Sequence, residues 1–327
     1  MRSSIVICTQ NRAADLGRAL RAVLRQDFPP DALEVLIVDN NSTDATPETV
    51  RAFRHSPAFP VRYVFESRDG LSHARNCGVA HARGEVVLFL DDDAFPADRH
   101  WAANLTAAYG DPEVCSAGGD LHPIWPDQRR PDWIPDVLLP LLGVTRFALT
   151  ATTPLRYPHY PWGCNISYRR DAVRAAGGFL PALGWSSENS TVPGEESELC
   201  LRLQRAGHKV VYVPEAAVNH VITPHKLTDQ WFMRRATGQG VSEAMIDARH
   251  VSTGGRGLAL IRRGAIVLCS LAGLAAGNLT RNRTTRLLWR YRLRAAVGYI
   301  RQTARVKRHG ALTPERQSGV DSHHRDT

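Results

Sequence analysis

Between Ser4 and Asp93 the chain holds three apolar runs, and each breaks off into polar or acidic residues. Ser4–Cys8 (SIVIC) ends at Thr9-Gln10-Asn11, Leu33–Val38 (LEVLIV) ends at Asp39, and Glu85–Leu90 (EVVLFL) ends at Asp91-Asp92-Asp93. The intervening segments read differently. Leu16, Leu20, Val23 and Leu24 recur at helical spacing ahead of Pro29-Pro30, which should stop that helix. Ser42-Thr43-Asp44 precedes Pro47-Glu48 in the manner of a helix cap, and residues 71–82 form a further helix after a strand at Val61–Phe65. Continuous apolar strands alternating with amphipathic helices are the pattern of βαβ units. They imply an α/β, Rossmann-like, mostly parallel central sheet with helices on both faces. Such sheets bind ligands beyond the carboxyl ends of their strands. The residues Thr9 and Asn11, Asp39 to Asn41, and Asp91 to Asp93 are therefore expected to converge on one crevice.

Farther along, residues 120–161 are rich in Pro and Trp with little periodicity, and read as a long loop-rich insertion over that crevice. Helices near 169–176 and 195–206, a strand at Lys209–Val213 and a helix over 227–247 follow. The 17 residues Gly264–Thr280 carry no charge between Arg263 and Arg281, just short of the roughly 20 a membrane span needs. Beyond them arginines alternate with apolar residues as in a basic amphipathic helix.

Charge is divided along the chain. The whole carries +9, yet residues 1–247 hold 25 basic and 29 acidic side chains, while 248–312 hold fourteen basic and no acidic ones. This argues against a nucleic-acid binder built on a uniformly basic surface. Three roles stay open for the C-terminal region: peripheral docking on an anionic membrane, a packed helical appendage or oligomer contact, and a true span. The expected organisation is a catalytic unit over 1–225 (nucleotide-binding half 1–119, acceptor half 120–225), a basic helical region over 226–312 and a disordered tail over 313–327.

The six cysteines contain no CxxC pair, so a structural zinc site is not expected; Cys8 and Cys269, in apolar runs, read as free buried thiols. With no signal-peptide pattern at the N-terminus, a reducing, cytoplasmic setting is expected.

Asp91, Asp92 and Asp93 repel one another unless a cation neutralises them. Oxygen ligands favour a hard ion, Mn²⁺ or Mg²⁺, whose shell a diphosphate can complete. A solvated acidic turn is the plainer alternative, disfavoured by the buried strand that leads into it. The cluster Gly194-Glu195-Glu196-Ser197-Glu198 opens a helix. Acids there complement the helix dipole, or one of them serves as a general base. His220 is either structural or a ligand near these acids.

Five stretches, in order, carry a resemblance: Ile5-Val6-Ile7-Cys8-Thr9-Gln10-Asn11-Arg12; Val38-Asp39-Asn40-Asn41-Ser42-Thr43-Asp44; Gly70-Leu71-Ser72-His73-Ala74-Arg75-Asn76; Phe89-Leu90-Asp91-Asp92-Asp93; and Gly194-Glu195-Glu196-Ser197-Glu198-Leu199. They resemble the family 2 glycosyltransferases, of the non-processive bacterial type, over roughly residues 1–225. The resemblance implies a GT-A fold, a nucleotide-diphosphate sugar donor, an inverting mechanism and a divalent metal. It implies that Thr9, Asn11 and Asp39 hold the base with Asn41 nearby, and that Arg12 and Asp44 belong to the same nucleotide-binding set. Arg75 would lie near the diphosphate, and Asp91 and Asp92 would meet the ribose or the metal's waters. Asp93 would ligate the metal with Asp91 and His220, and Trp162 to Asn165 would line the sugar pocket. The family's late motif is usually Glu-Asp with Asp as base. Here Glu196 stands in that place, which leaves Glu195 and Glu196 as alternatives, Glu196 favoured.

Gln230-Trp231-Phe232-Met233 does not match the Gln-x-x-Arg-Trp motif of processive members, so transfer of a single sugar is expected. The acceptor would be a saccharide, lipid-linked or in the cell envelope, met at the inner face of the membrane. Trp125, Trp133, Trp162 and Trp185 are candidates to stack on its rings. The alternatives are a sugar-phosphate nucleotidyltransferase, whose glycine-rich loop after the first strand is missing, and a non-enzymatic membrane-surface scaffold, which leaves the carboxylates unexplained.

Overall fold

The computed structural model describes residues 1–187 and 192–309. The alternation expected of the N-terminal part is present as β1 (Ser3–Thr9), α1 (Ala13–Val23), β2 (Leu33–Asp39), α2 (Thr46–Phe53), β3 (Val61–Phe65), α3 (Leu71–His81) and β4 (Val86–Leu90). β1 pairs in parallel with β2 and β4, and β2 with β3. The alternation of side chains along β1 explains the two-sided burial. Ile5 and Ile7 pack with Leu16 and Leu20 of α1, and Val6 packs on the other face with Ala74 and Val79 of α3. α1 ends at Val23, so Pro29-Pro30 lies in the connecting loop and does not stop the helix directly.

The chain then forms β5 (Ala94–Pro96), α4 (Trp101–Ala107), β6 (Val114–Gly118), β7 (Leu121–Ile124), β8 (Thr153–Leu155), β9 (Asn165–Arg169), α5 (Arg170–Ala175), α6 (Glu195–Arg205), β10 (Lys209–Tyr212) and β11 (Val218–Val221). The main sheet has eight strands in the order β3-β2-β1-β4-β9-β6-β10-β8. β9 enters antiparallel to both β4 and β6, a crossover that no local pattern announces. A small sheet, β5-β11-β7, stands beside it and carries the chain from Asp93 to His220.

Residues 120–161 are more ordered than their composition suggests. Backbone pairing captures β7 and β8, and a 3-10 turn spans Asp136–Leu142. Leu138 and Leu142 of that turn pack with Phe232 and Leu287 from the C-terminal helices, and Trp133 meets the Phe232 ring edge-on at 6.0 Å. Trp125 and Trp133 are thus packing aromatics.

Three helices finish the described chain: α7 (Asp229–His250), α8 (Thr253–Leu279) and α9 (Arg283–His309). α7 and α9 approach so closely that a Cβ at Gly240 would collide with the Ala295 carbonyl, and one at Gly298 with that of Thr237. α8 packs on α9 through small residues, with Gly273 under the Trp289 ring. Its apolar residues face out instead: Leu258, Ile261, Leu268, Leu271 and Leu279 are half or more exposed, Leu268 by 70%. Cys269 is therefore exposed, contrary to the expectation of a buried thiol, and Cys8 is half-buried. Among the described residues α8 is the one helix long and apolar enough to cross a membrane, with a mean hydropathy of 1.7 over its most apolar window. The disordered tail expected over 313–327 lies outside the described residues.

Candidate active site

The carboxyl ends of β1, β2 and β4 open into a cleft of about 700 Å³ whose walls include Thr9, Arg12, Arg75, Asp91, Asp92, Asp93, Trp162, Glu195, Glu196 and His220. The convergence read from the three strand ends is literal. Thr9 Oγ1 donates to Asp92 Oδ2 at 2.7 Å, tying β1 to β4. Asn11, at φ 54°, accepts from the Thr43 backbone N–H at 2.6 Å, tying the loop after β1 to the loop after β2. Asp44 accepts from the Ala13 N–H at 2.9 Å and from Thr46, so one carboxylate serves the first turns of both α1 and α2. Asp39 is buried and accepts from the Ser42 N–H at 2.9 Å and from the Tyr63 hydroxyl at 2.7 Å. Asn41 donates to the Ser67 carbonyl. Asn11, Asp39, Asn41 and Asp44 brace the loops after β1 and β2 and are not among the residues that line the cleft, whereas Asn40 is.

Positively charged side chains hold the acidic cluster. Arg12 bridges Asp92 at 2.8 Å and Asp93 at 3.1 Å, and Lys226 lies 3.5 Å from Asp93. His220 Nε2 faces Asp93 Oδ1 at 3.4 Å. Burial pushes the Asp93 carboxyl up, but His220, Lys226 and Arg12 outweigh it and hold the group well below the usual carboxylate range. Asp92, also buried but with less compensation, is pushed up to about 7 despite Arg12. Asp91 turns to Arg75, at 3.6 Å, and does not join Asp93 and His220.

Arg75 is the centre of the opposite wall. It is buried, donates to Glu195 Oε1 at 2.6 Å, and lies 5.7 Å from the centroids of both Phe89 and Phe179. Gly163 leaves it room, since a Cβ there would run into the guanidinium. Glu195 is thereby committed to an ion pair. Glu196, 8% exposed, keeps Oε2 without any hydrogen-bond partner. Burial, then the neighbouring Glu195 charge, pushes its carboxyl up to about 8 against the opposing pull of Arg75.

Asn165 also lies away from the cleft. It is 0% exposed. Its Oδ1 accepts from Trp101 Nε1 at 2.9 Å, and its Nδ2 donates to the carbonyls of Ala216 at 2.7 Å and Asp120 at 3.2 Å. Trp162 to Asn165 form a turn closed by the Asn165 N–H donating to the Trp162 carbonyl at 2.8 Å, which leaves Cys164 on the cleft and starts β9 with Asn165 in the core. Asn165→Ala should strand the Trp101 donor and the Ala216 carbonyl, while the Asp120 carbonyl keeps the Val218 N–H, and urea unfolding should show a loss of about 2–4 kcal/mol; a loss below about 1 kcal/mol would mean water replaces the amide.

The profile of glycosyl transferase family 2 matches residues 4–176, more than half of the chain, and that of glycosyl transferase family group 2 matches residues 140–299. The chain belongs to glycosyl transferase family 2. It is 27% identical over 251 residues to the glucosyl-dolichyl phosphate glucuronosyltransferase of Haloferax volcanii, covering 76% of this chain and 78% of that one. It is 26% identical to a succinoglycan biosynthesis protein of Rhizobium meliloti over 72% of each chain. Its fold is similar to that of a mannosyltransferase of Pyrobaculum calidifontis solved with GDP-Man and Mn²⁺, with a TM-score of 0.60, 24% identity, and coverage of 91% of this chain and 87% of that one. The GT-A fold, the glycosyltransferase class and the family read from the five motifs are thus borne out, with the C-terminal helices added to them.

In this glycosyltransferase the described residues include no group of three or more His, Cys, Asp and Glu side chains spaced to cage a metal. They offer a pair, Asp93 and His220, with the buried Nδ1 of His220 unpartnered. A hard divalent ion that takes one or two protein ligands draws the rest of its shell from phosphates and water, and the pair fits an ion held that way. Asp91 does not complete a three-residue set with them; it lies 3.6 Å from Arg75. The cleft also contains basic residues that the sequence reading passed over: Lys226, six residues after His220, and Arg234 and Arg235 on α7. Arg235 is buried with Nε unpaired. Their signal was faint, an Arg pair inside an otherwise ordinary helical segment.

Proposed function

We propose that the chain transfers a single sugar, with inversion, from a nucleotide-diphosphate sugar to an acceptor hydroxyl, using a divalent metal and Glu196 as general base. One observation carries this reading: Glu196 keeps a buried, unpaired carboxylate oxygen on the cleft wall while its neighbour Glu195 is locked to Arg75. Glu196 Oε2 takes the proton of the acceptor hydroxyl, whose oxygen forms the new bond to the anomeric carbon. The bond from that carbon to the diphosphate oxygen breaks on the opposite side, and its electron pair leaves with the nucleoside diphosphate. A single in-line displacement of this kind inverts the centre. A divalent ion at Asp93 and His220 would offset the charge developing on the diphosphate. Arg12 and Lys226 keep Asp93 ionised for it. Thr9 faces the base and ribose, Asn11, Asn41 and Asp44 brace the loops beside them, and Asp39 retains lone pairs for a base N–H. Asp91, Asp92 and Arg75 face the ribose and diphosphate, and Trp162 the sugar.

The test is a thermal-shift panel of UDP, GDP, dTDP and CMP, each with Mn²⁺ and with Mg²⁺. A metal-dependent shift with one nucleotide diphosphate is expected and fixes the donor class. No shift with any of them would remove the proposal.

A second element of the reading concerns place. The exposed apolar face of α8, flanked by a region of fourteen basic residues without an acid, suits peripheral contact with an anionic membrane at its cytoplasmic side, where a lipid-linked acceptor would be met. The full chain should sediment with phosphatidylglycerol–phosphatidylcholine vesicles at low salt and less so at high salt. Leu268→Glu, a change on an exposed position, should weaken sedimentation about tenfold or more by burying a charge in the apolar layer. Equal sedimentation of the two proteins would dissociate α8 from the membrane.

A further inference from the structure

Glu196 has no hydrogen-bond partner at Oε2, so its place is set by the backbone of the first turn of α6. That turn is held on two flanks. On one, Glu195 is bound to Arg75 of α3. On the other stands Glu198, whose N–H closes the turn on the Gly194 carbonyl at 2.9 Å. Glu198 is fully buried. Its carboxylate accepts from Arg202 of the same helix at 2.8 Å and from His250 Nε2 at 2.9 Å. Burial pushes the Glu198 carboxyl up, but His250 and Arg202 outweigh it and hold the group below the usual carboxylate range.

His250 is the last residue of α7, 52 positions from Glu198, and it is not among the residues that line the cleft. Its ring has a second partner. Arg205, at the end of α6, brings Nη1 to His250 Nδ1 at 2.9 Å and Nη2 to the His250 carbonyl at 2.6 Å. A guanidinium only donates and a carboxylate only accepts. Nδ1 is therefore the acceptor and Nε2 carries the hydrogen, which makes the ring neutral in a single tautomer. A relay Arg205–His250–Glu198 thus leaves α6 at its last turn, crosses to α7 and returns to the first turn. The charged groups around the ring are Glu198, Arg202 and Arg205 from α6 and Arg249 from α7. A lysine or arginine at 250 would lack the acceptor that the relay needs. The turn also has no slack against α7, since a Cβ at Gly194 would stand 2.5 Å from Ser242 Oγ.

We propose that His250, acting through Glu198, is a positioning residue for the general base: the relay fixes the first turn of α6 so that Glu196 Oε2 stays buried at the place where the acceptor hydroxyl arrives. The proposal rests on the glycosyl-transfer reading above and adds to it a residue that touches neither donor nor acceptor.

The test uses the full chain. The Glu196 carboxyl is followed by carbon NMR of glutamate-labelled protein and assigned by its absence from Glu196→Gln. In the wild type it should titrate at about 8. His250→Leu keeps the bulk of the ring and neither hydrogen bond. The loosened turn then admits water, and the midpoint should fall by about one pH unit or more. Nucleoside diphosphate release is measured above that midpoint, with UDP-glucose, UDP-N-acetylglucosamine, GDP-mannose and dTDP-glucose as probes. The kcat of His250→Leu should fall about ten- to hundredfold with the donor KM unchanged, the loss that a small misplacement of a reacting group causes. His250→Gln should restore both readouts, because its amide accepts from Arg205 and donates to Glu198. Far-UV circular dichroism reports folding. Arg205→Met, a change at an exposed position, takes the place of a His250→Leu protein that does not fold, and should move the midpoint in the same direction. An unmoved Glu196 midpoint in a folded variant, no rescue by glutamine, or a loss confined to donor KM would overturn the proposal. A wild type that releases no nucleoside diphosphate would instead remove the glycosyl-transfer reading, and the carboxyl titration would still decide whether His250 holds Glu196.

Discussion

Asp93→Ala is expected to reduce sugar transfer on the order of a thousandfold or more, because it removes the carboxylate around which the charge of the leaving diphosphate would be organised. The variant also leaves Arg12, Lys226 and His220 facing one another without the anion that separates them. Breaking a buried ion pair from one side costs about 3–5 kcal/mol, so part of any loss could be unfolding. Asp93→Asn separates the two effects. It keeps the shape and one acceptor oxygen while removing the charge, and it should recover part of the melting temperature lost by the alanine variant while staying nearly as inactive. Nucleoside diphosphate release from the donor identified by the thermal-shift panel is the readout, with and without chelator. Wild-type activity that survives chelation, together with an active Asp93→Asn protein, would remove the metal from the mechanism.

Glu196→Gln is the second large effect. General-base catalysis contributes about a hundredfold to ten-thousandfold, and the amide cannot accept the acceptor's proton. The expected result is a fall of that size in kcat with a small change in donor KM. The pH profile gives the sign independently. The Glu196 carboxyl is pushed up to about 8 by burial and by Glu195, with Arg75 opposing. Only its ionised form accepts a proton, so kcat/KM of the wild-type chain should climb as pH rises through about 8 and then level off. The residual activity of Glu196→Gln should show no such limb. A wild-type profile that is flat between pH 6 and 9, to the order of a few tens of per cent, would exclude Glu196 as the titrating base. If Glu195→Gln abolished the limb and Glu196→Gln did not, the roles would be exchanged.

The N-terminal half was legible because its signals are local. A strand that ends in Thr9 or in Asp91 announces both the sheet and the direction in which ligands approach, and the ladder of the resemblance runs through those same positions. The failures share a cause. The pairing of Arg75 with Glu195 joins residues 120 positions apart, and nothing near either one says that it will commit Glu195 and lie 3.6 Å from Asp91. Asn165 follows three cleft-lining residues in the chain, but a turn closed on the Trp162 carbonyl carries it into the core at the start of β9, and its partners Trp101, Asp120 and Ala216 come from three distant places. β7 and β8 escaped notice because very short strands are stabilised by their neighbours, not by their own composition. In α8 the hydropathy was readable, but which flank would pack was not: close approach to α9 selects Gly273 and Gly277, and the larger apolar side chains are left outside.

The contact between α7 and α9 has a practical side. Gly240 and Gly298 let the two backbones touch, and Leu287 of α9 reaches the same apolar cluster as Leu138, Leu142 and Phe232. The last helix therefore packs onto the catalytic unit through α7, one of the arrangements left open for the basic helical region 226–312. A truncation after residue 225 would remove Trp231, Arg234 and Arg235 of α7 from the cleft wall, and one that removes everything after α7 would uncover the face of α7 on which α9 packs. A more soluble fragment is better sought by altering the outward face of α8, at Ile261, Leu268 and Leu271, while leaving α9 in place to close the molecule.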